Sequence, residues 1–478
     1  MSAALGMALP IILLKLFDQN SYGMYKQSFN IVLSIITVFP PGFCMTSYYF
    51  FPREPERAKS VAFNAWLVAS LMGLVPFLVL FFRPDLISHY IKRPEAVAEA
   101  PWIGLVIFLW SSSLFIELAP LANRDVTFAS KFIVIANAIK ACCMLAGALI
   151  TRSLHGILVA AAVFGIFQLG ILMYYLHTRF PGFLTAFSMP VMKRQFAYFG
   201  KVMPAALMGE LQTYMPPYFV GFRYSTLQTS IYSAGCFNLP VTQILLESVG
   251  SILVRKVNEL DADGNRREII RLTLSATRKL SMAFFPFYIL MVVVSREFFL
   301  TVSRKEYLDA VPIFVLNLSL VPISIIMFDP IGRAFPDQQG KIMKIRALVA
   351  LFMAIGLWYG TAHFGPISAT AVVLGAAVLE RTSLLIFWGR FLGATKADLF
   401  GFRDIGRVAL AAIVAGGLTW LVRLSLLGLK PVLVLIACGC VFAPIYVALI
   451  FLLQVPSLDE RRMVTSRIAW VTRAARLA

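Results

Sequence analysis

A few ionisable side chains of this sequence fall inside long apolar segments, where a charge is costly. Residues of this kind pair with one another, hold ions or protons, or meet a charged ligand, so each is a candidate for function. Glu210, with Gln212 two positions later, is the first candidate for holding a proton or a cation, and Glu247 is the next. The basic candidates are Lys15, Lys140 and Arg381.

The basic candidates also have structural explanations. Lys15 lies near the end of its apolar segment, where its long stem can carry the ammonium group to the membrane surface. Lys140 lies in the middle of a segment, and an ion pair with Glu117 of the preceding segment would account for it. Glu380 and Arg381 are neighbours about 100° apart around a helix, so each is expected to meet a different partner.

The segments that must position these residues are apolar and long enough to span a bilayer. The chain is 59% hydrophobic and only 14% charged, far from the balance of a soluble domain. Its apolar runs are continuous rather than alternating, which predicts membrane-spanning helices and not a β-barrel. Fourteen segments are predicted, near residues 1–17, 27–51, 60–82, 101–122, 128–151, 154–178, 198–222, 228–254, 272–295, 309–332, 342–362, 365–389, 408–428 and 431–454.

The basic residues are distributed unevenly between the two sides of these segments. Of the 43 Lys and Arg residues, 29 lie in the even-numbered gaps and the C-terminal tail, and 12 lie in the odd-numbered gaps. The positive-inside rule therefore predicts that both termini face the cytoplasm. The net charge of +19 is spread over short loops, so a membrane explains it and nucleic acid is not an expected partner.

Cysteine and histidine patterns do not indicate a metal site or a cofactor. The six cysteines all fall in apolar segments, where they are expected to act as small hydrophobic side chains. The gaps between segments are short and leave no room for a soluble catalytic domain. No cofactor is therefore expected, and the protein is not expected to be an enzyme.

Sequence similarity between the two halves predicts an internal duplication. Gly156 and Ala160 recur as Gly365 and Ala369, both at an offset of 209 residues. Because six segments fit within this offset, the copies would be parallel repeats, a common transporter plan. The predicted domains are an N-terminal bundle (1–180), an interfacial linker (181–197), a C-terminal bundle (198–395), two added helices (396–456) and a basic amphipathic tail (457–478).

Four short stretches carry a resemblance to a known family. They are 16–25 (LFDQNSYGMY), 123–128 (NRDVTF), 199–204 (FGKVMP) and 230–235 (SIYSAG). Through them, residues 1–395 resemble the polysaccharide transporter family of the multidrug/oligosaccharidyl-lipid/polysaccharide flippase superfamily. The sequence departs from many relatives late in the seventh segment, where Met215-Pro-Pro-Tyr218 replaces an expected Asp. The resemblance implies two six-helix bundles around a central cavity that opens alternately to either side.

The resemblance implies transport of an undecaprenyl-pyrophosphate-linked oligosaccharide across the bacterial cytoplasmic membrane. Membrane lipids, H⁺ or Na⁺ coupling and envelope polysaccharide assembly proteins are the expected partners besides that substrate. A cation-coupled multidrug antiporter of the same superfamily is the first alternative. A membrane polysaccharide polymerase or ligase is the second, although the chain lacks the large outer loop that such enzymes usually carry.

Overall fold

Every secondary-structure element that the structure describes is a helix. The computed structural model describes residues 2–38, 40–237, 240–262, 264–395, 398–426 and 428–456. The tail predicted at 457–478 therefore lies outside the described residues. The α-helices are α1 (Ser2–Leu16), α2 (Gln19–Val38), α3 (Pro40–Cys44), α4 (Thr46–Arg53), α5 (Ala58–Phe82), α6 (Glu95–Ser113), α7 (Phe115–Ala122), α8 (Val126–Thr151), α9 (Leu154–Arg179), α10 (Met189–Arg223), α11 (Thr226–Gly235), α12 (Pro240–Ala262), α13 (Arg266–Val293), α14 (Ser295–Val302), α15 (Val311–Leu318), α16 (Leu320–Ile323), α17 (Asp329–Ala334), α18 (Gln339–His363), α19 (Ile367–Leu392), α20 (Phe402–Ser425) and α21 (Pro431–Leu452).

Eleven helical segments of the described chain are long and apolar enough to cross a membrane. They are Gln19–Arg53, Pro55–Phe82, Glu95–Ala122, Val126–Thr151, Leu154–Arg179, Arg266–Val293, Lys305–Ile323, Gln339–His363, Ile367–Leu392, Phe402–Ser425 and Pro431–Leu452. Each coincides with one predicted segment. The other three predicted segments are helical as well, in α1, in α10 and in the pair α11 and α12. The chain is an all-α, multi-pass membrane protein, and the predicted fold class is confirmed.

Polar residues set several of the helix ends between these segments. Asp125 caps α8 by accepting a hydrogen bond from a backbone N–H of its first turn. The same helix ends at Arg152, which adopts the left-handed conformation with φ 51°. Ser153 then caps α9, and Ser225 and Gln228 form a capping box at the start of α11. These caps satisfy backbone groups where the chain leaves one helix and begins the next.

Two proline pairs lie within helical segments. Pro40 and Pro41 lie in α3, inside the helical segment Gln19–Arg53. Helix α10 runs for 35 residues through Pro204, Pro216 and Pro217. The pair Pro216 and Pro217 therefore does not end α10. The hydroxyl of Tyr90 donates a hydrogen bond to the carbonyl of Pro217 at 3.3 Å, consistent with helices that tolerate proline where neighbours satisfy the backbone.

The described contacts group the chain into two compact units. The first unit covers residues up to 240, with 302–317 and 337–380. The second unit covers 241–301, 318–336 and the residues from 381 onwards. The predicted division into an N-terminal bundle, a linker and a C-terminal bundle stays a prediction.

Apolar packing within the first unit joins α10 and α11 to α18 and α19. Val220 of α10 and Tyr232 of α11 are almost fully buried and belong to one cluster with Val349, Leu357 and Ala369. Tight packing of this kind fixes the rotation of α10 about its axis. That rotation decides which α10 side chains meet a helix and which meet a cavity.

Packing within the second unit uses a face of small residues on α20. Ala411, Ala412 and Ala415 are buried and form a cluster with Phe442 and Tyr446 of α21. Small residues let helices approach closely in a membrane, where no hydrophobic force drives them together. The chain thereby holds α20 and α21 against each other within this unit.

Candidate functional site

A cavity of about 690 Å³ lies within the first unit, between α2, α5 and α10. Most of its wall is apolar and includes Met72, Met208 and Met215. Its polar side chains are Ser34, Glu210, Tyr214 and Tyr218. An apolar cavity with a few convergent polar groups is the usual form of a ligand site.

Two hydroxyl pairs join α2 to α10 beside this cavity. The hydroxyl oxygens of Ser34 and Tyr218 are 2.5 Å apart. The Thr37 hydroxyl donates a hydrogen bond to the Tyr214 hydroxyl at 3.1 Å. Residues three or four positions apart share one face of a helix, so both pairs form when these faces meet in antiparallel register. The pairs fix both tyrosine side chains at the cavity.

Glu210 is the acidic side chain among the described residues of the cavity wall. It is half-buried, and it forms no hydrogen bond or ion pair with another described residue. Tyr214 lies one turn further along α10, close enough for its hydroxyl to interact with the carboxylate charge. A carboxylate in such surroundings can take up a proton or a cation. This role of Glu210 stays a prediction.

Gln212 does not line the cavity with Glu210. Its Nε2 donates a hydrogen bond to the carbonyl of Arg346 at 2.9 Å. The Arg346 Nε in turn lies 3.2 Å from Glu380 Oε1 in an ion pair. Two positions on a helix are about 200° apart, which explains why Glu210 and Gln212 face different neighbours. Gln212 therefore helps to hold α10 against α18.

Lys140 lies against an aromatic ring in the first unit. Its Nζ is 5.2 Å from the centre of the Trp110 ring. Glu117, its predicted partner, accepts a hydrogen bond from Gln168 at 3.4 Å. The charges of Lys140 and Glu117 interact electrostatically, although the described contacts include no direct ion pair between them. The Trp110 ring and the Glu117 charge both favour the ammonium group of Lys140, so its position can be explained without a ligand.

Lys15 and Glu247 are not among the residues that line the cavity. Lys15 is exposed in the last turn of α1, and its carbonyl accepts a hydrogen bond from Arg304 Nε at 2.9 Å. Glu247 is exposed on α12 of the second unit and accepts a hydrogen bond from Gln243 at 3.0 Å. A role in transport for either residue stays a prediction.

Arg381 and its neighbour Glu380 have different partners. The Arg381 guanidinium donates a hydrogen bond to the Ile326 carbonyl at 3.2 Å, whereas Glu380 pairs with Arg346. Their separation of about 100° around α19 predicts this outcome. The Arg381 contact joins α19 to the connection between α16 and α17, and the Glu380 contact joins α19 to α18. A role of Arg381 in transport stays a prediction.

Lys26 is a candidate that sequence analysis missed. The predicted second segment began at residue 27, but α2 begins at Gln19, so Lys26 lies about two turns inside the helix. Lys26 is half-buried, its Nζ is 5.6 Å from the centre of the Tyr22 ring, and the described residues offer it no carboxylate partner. The four-residue spacing of Lys26, Asn30 and Ser34 is the signal that could have identified it.

Metal-binding geometry is not found among the described residues. In that part of the chain, no group of three or more His, Cys, Asp or Glu side chains could hold a metal ion. The functional candidates of the described site are therefore Glu210 and the hydroxyl pairs at the cavity, with Lys26 on the same helix as Ser34.

Comparison with solved structures identifies the fold. The lipid II flippase MurJ, in an inward closed conformation, matches with a TM-score of 0.68 at 15% identity, covering 94% of this chain and 96% of that one. A variant of the Vibrio cholerae MATE transporter VcmN matches with a TM-score of 0.56 at 12% identity, covering 83% and 94%. The eukaryotic MATE transporter AtDTX14 gives a TM-score of 0.55 at 12% identity, covering 84% and 95%.

Comparison of the sequence identifies the family. No curated protein matches the chain significantly. A family model described as polysaccharide biosynthesis protein matches residues 12–312, which is more than half of the sequence. This stretch includes α2, α5 and α10, and with them Lys26, the cavity and Glu210. The chain belongs to this polysaccharide biosynthesis protein family and has the transporter fold that MurJ and the MATE transporters share.

Proposed function

We propose that this protein is a flippase that moves a lipid-linked oligosaccharide across the membrane by alternating access. The observation that carries the proposal is the match of a polysaccharide biosynthesis family over residues 12–312 of a chain with a transporter fold. One structure with this fold is a lipid II flippase. The proposed substrate class is undecaprenyl-pyrophosphate-linked oligosaccharide.

The charged headgroup of such a substrate sets the main physical problem. A diphosphate cannot enter hydrocarbon without large desolvation cost, so a flippase must offer it cationic partners within the membrane. Lys26 suits this task because it lies within a membrane-spanning segment and no described carboxylate neutralises it. We assign Lys26 a role in contacting the diphosphate.

Glu210 suits the coupling of transport to an ion. Its carboxylate lies at an apolar cavity without a described partner, so uptake of H⁺ or Na⁺ would change the charge on the cavity wall. A protein alternates between conformations when a ligand stabilises one of them more than the other. We assign Glu210 this coupling role, with either ion as the ligand.

The proposal places the protein in the bacterial cytoplasmic membrane with both termini in the cytoplasm, as the distribution of Lys and Arg predicts. In this proposal the protein transports its substrate and catalyses no covalent reaction. Proteins that assemble envelope polysaccharide would receive the substrate on the outer side and are the proposed partners.

A cation-coupled multidrug antiporter is the second candidate function. The specific observation in its favour is the cavity itself, since Met72, Met208 and Met215 can adapt to varied apolar ligands and Glu210 can attract a cation. The fold is also that of MATE transporters. Membership of a polysaccharide biosynthesis family favours the flippase.

Transport in vesicles tests the two functions against each other. The purified protein is reconstituted with a fluorescent undecaprenyl-pyrophosphate oligosaccharide, and a membrane-impermeant quencher reports the exposed fraction. Protein-dependent movement of the label to the other leaflet supports the flippase. Movement of ethidium driven by an ion gradient, without movement of the lipid-linked sugar, would establish the antiporter and overturn the main proposal.

A further inference from the structure

A second cavity, of about 130 Å³, lies within the second unit between α13, α19 and the start of α20. Its α13 wall is formed by Ile270, Thr273, Leu274 and Thr277. These residues follow the three- and four-residue spacing of one helix face. The cavity is therefore a groove along α13, about 10 Å long from Ile270 to Thr277 at the rise of an α-helix. The proposed transport function does not use it.

The groove has a cationic end. The same face of α13, continued one turn back from Ile270, carries Arg266 and Arg267, which are exposed. The Arg266 guanidinium lies 4.9 Å from the centre of the Phe391 ring, at the end of α19. In the sequence, segments 266–271 and 390–407 together contain seven Lys and Arg residues but only three Asp and Glu residues. Among these residues, Arg267 and Arg271 lie close enough to interact electrostatically with Asp398, which lines the groove.

The acid at this end is already satisfied. Asp398 lines the groove and accepts hydrogen bonds from the backbone N–H and the hydroxyl of Thr395, both at 2.8 Å. These bonds, with the charges of Arg267 and Arg271, keep the pKa of Asp398 below its usual value. The described hydrogen bonds of Asp398 come from Thr395, and Asp398 forms no described ion pair with Arg266 or Arg267, so both guanidinium groups can still contact an anion.

The groove also contains a buried donor without an acceptor. Trp388 lines the groove and is only 2% exposed, and its Nε1 has no hydrogen-bond partner among the described residues. Buried indole N–H groups usually find a partner. An ester carbonyl or a phosphate oxygen of a bound molecule would supply the missing acceptor.

We propose that this groove binds an anionic phospholipid. The two helices are long and apolar enough to cross a membrane, and the cationic end lies where α13 begins at Arg266 and α19 ends at Leu392. The predicted membrane segments, 272–295 and 365–389, begin and end a few residues inside these helix ends. The phosphate contacts Arg266 and Arg267, an acyl chain follows the apolar groove, and Trp388 donates to the lipid. Charge at one end and apolar surface behind it match the order of groups in a phospholipid.

Lipid binding to the full-length protein in detergent tests the proposal. Phosphatidylglycerol and phosphatidylcholine are titrated separately, and bound lipid is counted by native mass spectrometry. Phosphatidylglycerol is expected to bind more tightly than phosphatidylcholine. The double variant Arg266→Gln/Arg267→Gln should weaken phosphatidylglycerol binding by about tenfold or more, since each basic residue contributes at a charged lipid surface. Trp388→Phe should weaken it about fivefold by removing one hydrogen bond.

Two further variants separate the groove from general effects of charge. Arg255→Gln/Lys256→Gln removes the same charge from α12 outside the groove and should leave phosphatidylglycerol binding unchanged. Gly389→Leu fills the groove, and a Cβ at this position would meet only Ala394 Cβ at 3.8 Å, an ordinary contact. This variant should fold normally and lose the bound lipid.

Three results would overturn the proposal. The first is equal affinity for the two lipids in the unmodified protein. The second is phosphatidylglycerol binding that none of the groove variants weakens. Selective binding of undecaprenyl phosphate in place of phosphatidylglycerol would also contradict it and would assign the groove to the substrate chain. The binding assay needs no transport, so its outcome is independent of the proposed flippase activity.

Discussion

Arg423 of α20 and Glu297 of α14 form a bidentate ion pair within the second unit. The Nε to Oε2 distance is 3.0 Å and the Nη2 to Oε1 distance is 2.8 Å. Their side chains are only 14% and 7% exposed. Two parallel hydrogen bonds and low exposure make this pair unlike the exposed ion pairs of the same chain, because water does not screen it.

Removing one partner of this pair should strongly destabilise the protein. Arg423→Met leaves a buried carboxylate without compensation and should lower the free energy of unfolding by about 3–5 kcal/mol. The double variant Arg423→Met/Glu297→Leu leaves no buried charge and should recover most of this loss. Thermal unfolding in detergent measures both. A double variant as unstable as the single one would show that the pair itself, and not the uncompensated charge, provides the stability.

Glu210→Gln should stop ion-coupled transport without unfolding the protein. The amide keeps the size of the side chain but cannot change its charge, so the cavity loses its response to H⁺ or Na⁺. Transport in vesicles under an imposed ion gradient measures the effect, and the signal should fall to that of protein-free vesicles. Glu259→Gln, which alters an exposed acid paired with Arg255, is the matched control. Gradient-driven transport by Glu210→Gln would remove Glu210 from coupling.

Lys26→Met should abolish movement of the lipid-linked oligosaccharide. The variant keeps the aliphatic stem over the Tyr22 ring but removes the charge that the diphosphate requires. Lys26→Arg keeps a cation and should retain activity. Lys131→Met, at an exposed position of α8, controls for loss of a positive charge. If Lys26→Met transports as well as the unmodified protein, the diphosphate has another partner.

The hydroxyl pair of Ser34 and Tyr218 should stabilise the contact between α2 and α10. Ser34→Ala and Tyr218→Phe each remove one partner, and the double variant removes both. Thermal unfolding of the four proteins forms a double-mutant cycle, and we expect a coupling free energy of about 1 kcal/mol, as for other hydrogen bonds. A coupling of zero would mean that the short distance contributes nothing to stability.

Gly23 should tolerate no side chain, whereas Gly170 should. A Cβ at Gly23 would collide with the backbone carbonyl of Thr226 in α11, which cannot rotate away. Gly23→Leu should therefore lower the free energy of unfolding by about 1–3 kcal/mol. Gly170 has nothing within 4 Å of its Cβ position, so Gly170→Leu should be neutral or stabilising. Unfolding temperatures of the two variants decide the comparison, and equal temperatures would contradict the close approach of α2 and α11.

The sequence alone determined the class of protein. Continuous apolar runs require backbone hydrogen bonds that close within each segment, so helices and their approximate bounds follow from hydropathy. Each of the eleven segments long and apolar enough to cross the membrane coincides with a predicted one. The family resemblance carried by residues 16–25 and 123–128 was confirmed by the match of the family model.

Tertiary packing decided which polar residues share a site. Glu210 and Gln212 looked alike in sequence, but the rotation of α10 against α18 directs Gln212 to a backbone carbonyl and leaves Glu210 at the cavity. The sequence placed Lys26 in the gap before the second predicted segment, whereas in the structure α2 begins at Gln19, seven positions before Lys26. The groove at Trp388 joins residues more than a hundred positions apart. Hydropathy measures how apolar each segment is, but the rotation of a helix about its axis depends on side-chain packing against neighbours that lie far away in the sequence.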